Sequence, residues 1–267
     1  MTTQAAAPRL GHPPKPMNGW KLERLRLTGT PRAIALAGTY MFFGLLGPVT
    51  AKYLQDIVSR FQSGIQVILA DPTPKEGIAN YISQVSQTGL IVVIVITAGA
   101  FTFDARRGLS TFLHTRTTSV WQLIAPRFTV NAAAAVTTYT LGTLAAWYET
   151  ALLLGSPPAG AMLAGLLCGA IYLIFAVSVA AAATSVARST IGTVGVTLGI
   201  LLALPVLGMA GPRRAWLPST LVAAPIALLG SSTLGDYLPA LVIAAIGTPS
   251  CSQPPPSNSD AATCDLA

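Results

Sequence analysis

The sequence predicts an all-α, polytopic transmembrane bundle with five clear spans and a sixth that is short or re-entrant. Composition is the first reason. Apolar residues make up 52% of the 267 residues, charged residues 9%, and the mean hydropathy is +0.61. A soluble domain carries about 25% charged residues, because its surface must be solvated. The spacing of the charges is the second reason. They divide the chain into apolar runs able to cross roughly 30 Å of hydrocarbon, which takes about 20 helical residues. Two other classes fail on the same numbers: a disordered chain needs low hydrophobicity, and three cysteines cannot frame a disulfide scaffold.

Residues 1–16, with Pro8, Pro13, Pro14 and Pro16, read as a disordered tail. Residues 17–31 read as an amphipathic helix at the membrane surface. The transmembrane domain occupies 32–247. Its first span, about 33–54, has no small-residue cleavage site after it and so does not read as a signal peptide. The second span is placed at 88–103, because the uncharged stretch before it is polar and LIVVIVITAGAF begins only at Leu90. The third lies at 128–148. Pro157 and Pro158 set off the fourth, at 160–186, and the fifth covers 191–211. Residues 219–247 are apolar but interrupted by Pro225, Gly230, Asp236 and Pro239. They fit a re-entrant pair, a sixth span stretched to about 255, or a replaced native ending. Residues 248–267 read as a second disordered tail.

A net charge of +7 invites a nucleic-acid reading, which the positions of the charges oppose. A nucleic-acid footprint needs a continuous basic face, whereas here the Lys and Arg residues cluster beside apolar runs. With the N-terminus in the cytoplasm, the inner segments hold eleven of the 16 Lys and Arg, and Lys52, Arg60, Lys75, Arg213 and Arg214 fall outside. The positive-inside bias therefore places a multi-pass protein in the cell membrane with its N-terminus cytoplasmic.

The spans contain almost nothing ionisable. Glu149 and Arg127 mark the outer and inner edges of the third span, and His12 and His114 lie outside all of them. An ion-coupled carrier usually needs mid-membrane carboxylates or broken helices, and a metalloprotease needs a set such as H-E-x-x-H. No catalytic, cofactor-binding or metal-binding residue is expected. The chain also lacks G-x-x-x-x-G-K-[ST], so any energy for transport comes from another subunit.

The most informative segment is 104–131, DARRGLSTFLHTRTTSVWQLIAPRFTVN. Leu109, Phe112, Leu113, Val120, Leu123 and Ile124 recur at helical spacings, flanked by Arg106, Arg107 and Arg116. On physics alone this is either an interfacial helix whose arginines meet anionic headgroups or a coupling helix that docks into a nucleotide-binding subunit.

Asp104, Arg106, Arg107, Gly108 and Leu109, then a short helix, then Arg127 opening the next span, resemble the second cytoplasmic loop of ABC-2-type transporter permeases. The resemblance runs from about 18 to 247. WKLERLRL (20–27) looks like the helix before the first span in that family. GPVTAKYLQDIV (47–58) and LADPTPKEGIANYISQVSQTGL (69–90) look like its outer loop, and WLPSTL (216–221) like the start of its outer hairpin. The family's mid-loop Pro is absent, HTRTTS (114–119) standing there, as is the basic end after the last span.

The resemblance implies the membrane subunit of an ATP-driven exporter for a hydrophobic or amphipathic compound, drug-, antibiotic- or lipid-like. Its implied partners are an ABC ATPase, which would hold the ATP and Mg, and a second permease subunit. Asp104, Arg106, Arg107, Gly108, Leu109, Phe112 and Leu113 are the implied coupling contacts. Gly195 and Gly199 are candidates for the subunit seam, since small residues four apart let helix backbones approach closely. A non-transporting membrane scaffold and an ion-coupled carrier are the rival readings.

Overall fold

The computed structural model describes residues 19–61, 72–102, 121–187, 189–209, 214–230 and 232–252. All regular structure among them is helical. In chain order the helices are α1 (Gly19–Thr28), α2 (Pro31–Phe61), α3 (Pro74–Gln84), α4 (Leu90–Phe101), α5 (Trp121–Leu153), α6 (Ala159–Val186), α7 (Thr190–Met209), α8 (Thr220–Ala227) and α9 (Leu238–Ser252). Short 3₁₀ turns at Arg214–Trp216 and Leu234–Tyr237 precede α8 and α9.

Four stretches, Pro31–Leu54, Pro74–Phe101, Ala159–Val186 and Thr190–Gly208, are long and apolar enough to cross a membrane. Helix α5 is longer than any of them, at 33 residues. It carries six threonines, Asn131 and Arg127. Thr137, Thr138, Thr140 and Thr143 each return their hydroxyl proton to the carbonyl four residues back. That bond lets a helix carry hydroxyls without unmet donors.

The second span differs from expectation. Residues 74–89, read from the sequence as outer loop, are helical and continuous with α4 through a π turn at Val85–Gly89. Pro74 sits in the first turn, where its missing N–H costs nothing, and the Glu76 carboxylate accepts a hydrogen bond from the Thr73 N–H at 3.3 Å. Gly77, Ile78, Tyr81, Ile82 and Val85 form the buried face, while Ser83, Gln84, Gln87 and Thr88 are exposed. Apolarity averaged along the segment hides this helix, because one side of it is polar.

Helix α6 is the hub, packed against α4, α5, α7, α8 and α9. Of its membrane window 67% is buried, against 22% for α7. The tightest pair is α2 with α5, where backbones nearly touch: a Cβ on Gly44 would lie 2.6 Å from the Gly142 carbonyl oxygen. Gly165 of α6 receives Pro225 of α8 against its backbone. Helix α8 therefore docks beside the N-terminal half of α6, and α9 packs along α6 as far as Gly247 against Phe175. The 15 residues of α9 span only about 22 Å.

Candidate functional site

The candidate site lies where α1, the start of α2, the end of α4 and the start of α5 meet. Pro126 of α5 packs on Gly19 of α1, its Cγ 3.6 Å from where a Cβ would stand. That contact sets Pro126 beside α1. Arg127 is buried and lies inside α5, which already begins by Trp121. Its carbonyl accepts the Asn131 side-chain amide at 2.8 Å.

Helix α1 turns an acid inward. Glu23 is its one buried residue, and its carboxylate lies 3.5 Å from the Arg26 guanidinium. Trp20, Leu22 and Leu25 stay exposed, so the helix offers apolar and basic groups outward together, as an interfacial helix does. Across from it, Arg32 reaches over Gly99 near the end of α4. The end of α4 and the start of α7 are tied by Thr102 and Thr190, whose hydroxyl oxygens are 2.6 Å apart. Asp104, Arg106, Arg107, Gly108, Leu109, Phe112 and Leu113 lie outside the described residues, between α4 and α5 in the sequence.

Among the described residues, the only buried charged side chains are Glu23 and Arg127, and the rest of the bundle interior carries hydroxyls. Tyr40 of α2, Tyr81 of α3, Tyr139 of α5 and Tyr172 of α6 are all buried. Tyr40, Tyr139 and Tyr172 line a small cavity of about 30 Å³ together with Ile82, Val85, Ser86, Leu90 and Val222. Room of that size suits a single water. Tyr40 meets Tyr139 edge to face, with centroids 6.1 Å apart. The Tyr81 hydroxyl lies 3.1 Å from Thr143 Oγ1, which donates to the Tyr139 carbonyl at 2.8 Å, so Tyr81 is the donor of that pair. The Tyr40 hydroxyl has no partner among the described residues and faces this cavity.

Glycine makes the space for these rings. Gly89 lies under the Tyr40 ring, Gly142 under the Tyr81 hydroxyl, and Gly169 under Tyr139. Sequence reasoning missed this group. A signal existed: each of the four tyrosines has a glycine three or four positions away, at Gly44, Gly77, Gly142 and Gly169.

The other expectations divide. Gly195 and Gly199 are exposed on α7, with nothing within 4 Å of an added Cβ. Tyr148, Trp20 and Trp216 are exposed near helix ends, as interfacial anchors would be, whereas Trp147 is partly buried against the core. Cys168 is a free, buried thiol. Among the described residues no cluster of His, Cys, Asp or Glu could hold a metal ion.

The chain is similar to an uncharacterised transmembrane protein of Bacillus subtilis, YxlG, with 22% identity over 207 residues, 76% of this chain and 77% of that protein. No family model matches the chain, and no solved structure matches it. Apolar helices of spanning length and a transmembrane relative together make this an all-α, multi-pass membrane protein.

Proposed function

We propose that this chain is the membrane subunit of an ATP-driven exporter of the ABC-2 type, moving a hydrophobic or amphipathic compound outward. A separate ATPase subunit binds and hydrolyses ATP, and two copies of this chain, or this chain and a similar one, form the pathway. The N-terminus is cytoplasmic. Helix α5 serves as the third span, and α8 with α9 forms an outer hairpin leading into a short sixth span.

One observation carries the reading. The helix that leads into the basic segment 104–127 at its inner end, running from Pro74 to Phe101, exposes Ser83, Gln84, Gln87 and Thr88 toward its outer end, beside a π turn. Twenty residues counted outward from Phe101 cross about 30 Å, which puts this stripe at the outer part of the hydrocarbon layer. An uncharged polar stripe there suits a path for a cargo that is itself largely apolar. π turns interrupt regular helix bonding and commonly sit at functional positions. A push from the ATPase on 104–120 would travel along α4 to that turn and reorient the stripe. Arg106 and Arg107 hold the ATPase contact, with Asp104, Gly108, Leu109, Phe112 and Leu113 shaping the docking helix.

The test is co-purification with the Walker-motif ATPase encoded nearest to this chain, comparing wild type with Arg106→Glu/Arg107→Glu. A complex that the charge reversal abolishes supports the reading. No association of the wild-type chain with any ATPase returns the scaffold alternative.

A further inference from the structure

Glu23, Arg26, Thr30, Arg32 and Ala100 line a cleft of about 170 Å³ between α1, α2 and the end of α4. Two guanidinium groups face one carboxylate, so the cleft is net positive. Arg26 shares the Glu23 carboxylate and is still 47% exposed on its side chain. Arg32 has no acceptor among the described residues, although it is only partly exposed and is held over Gly99. An arginine seated in a cleft with its five donors unmet is poised for an external acceptor.

The surroundings say what kind of acceptor. Ile34, two residues after Arg32, is 76% exposed, and Trp20, Leu22 and Leu25 of α1 are exposed as well. A basic cleft bordered by exposed Ile, Leu and Trp at the inner end of a membrane bundle lies at the boundary between headgroups and acyl chains.

We propose that this cleft binds the phosphodiester of an anionic phospholipid from the inner leaflet. Arg32 and Arg26 donate to the phosphate oxygens, a geometry that the planar guanidinium fork matches. The acyl chains descend beside Ile34. Glu23 steadies Arg26 and leaves Arg32 as the principal contact. A zwitterionic headgroup would bring a cation into an already positive cleft, so anionic lipid is preferred. The bound lipid would bridge the α1–α2 junction to Ala100 of α4. This assignment does not depend on the exporter reading.

The experiment is native mass spectrometry of the full chain purified from nanodiscs of phosphatidylglycerol or of phosphatidylcholine. Arg32→Gln is compared with Arg24→Gln, which removes the same charge from the exposed side of α1 without touching the cleft. The expected result is phosphatidylglycerol retained by wild type and Arg24→Gln and reduced roughly five-fold in Arg32→Gln, as loss of one arginine contact implies. Equal retention by the two variants, or equal retention of the two lipids by wild type, overturns the proposal. Inorganic phosphate at millimolar concentration provides the remaining arm. Displacement of lipid only by lipid supports the site, whereas phosphate that strips the bound lipid from wild type identifies a soluble-anion site instead.

Discussion

Gly44→Ala is the sharpest probe of how the bundle is held together. In an unobstructed helix interior this change gains about 0.5–1 kcal/mol, because alanine loses less backbone entropy. Here the new Cβ would stand 2.6 Å from the Gly142 carbonyl oxygen and 3.3 Å from the Ala145 Cβ. Ordinary contact begins at 3.4 Å, and the short approach is to backbone, so α2 and α5 must separate by about 0.8 Å. Overpacking of this kind costs about 1–3 kcal/mol. Set against the propensity gain, the expected net loss is about 1–2 kcal/mol, or about 3–6 °C in melting temperature for a chain of this size. Cys168, free and fully buried, supplies the assay. With Cys251 and Cys264 replaced by Ser, a fluorogenic maleimide reacts only as heating opens the bundle. Gly195→Ala is the control, since nothing lies within 4 Å of its Cβ, and its melt should stay level or rise. Gly44→Ala melting at or above wild type would refute the close α2–α5 approach.

Other perturbations separate interior from surface. Tyr81→Phe removes one buried donor and should cost about 1 kcal/mol, while Thr143→Val leaves the Tyr81 hydroxyl only a 3.4 Å carbonyl and should cost about 1–3 kcal/mol by the same thermal melt. Gly195→Leu/Gly199→Leu should leave the protomer's melt unchanged and shift its mass in detergent from dimer to monomer if α7 forms the seam; a protomer that unfolds would show the face to be internal. For orientation, Ser156→Cys, exposed between α5 and α6, should react with an impermeant maleimide on intact cells, and Ser189→Cys, between α6 and α7, only after permeabilisation. The reverse pattern would place the N-terminus outside.

Where the sequence was legible, each residue's environment repeated along the chain. The fourth span, expected at 160–186, is the helix Ala159–Val186, because Pro157 and Pro158 end the preceding run and every turn thereafter is apolar. The first span and the fifth were equally plain. The helix that precedes α4, Pro74–Gln84, was not legible because Ser83, Gln84, Gln87 and Thr88 dilute the apolar count, although Ile78, Tyr81, Ile82 and Val85 keep helical spacing on the buried face. Residues 104–113, expected to couple to an ATPase, stood out as a pattern of basic and apolar positions and lie outside the described residues, while Arg127 was visible and is buried within α5.

Composition, charge spacing and periodicity thus determined the membrane, the helices and the absence of ionisable groups in mid-span, since each is a property of consecutive residues against one solvent. Only the tertiary structure decided which glycines carry packing. Gly44, Gly142, Gly165 and Gly169 meet backbone or rings of other helices, whereas Gly195 and Gly199, with the same spacing logic, meet nothing within 4 Å among the described residues. It alone gathered Tyr40, Tyr81, Tyr139 and Tyr172 from four helices and set Arg32 over Gly99 beside Glu23 and Arg26. A helix fixes which of its residues share a face, but the partner that the face meets is chosen by the packing of helices distant in sequence.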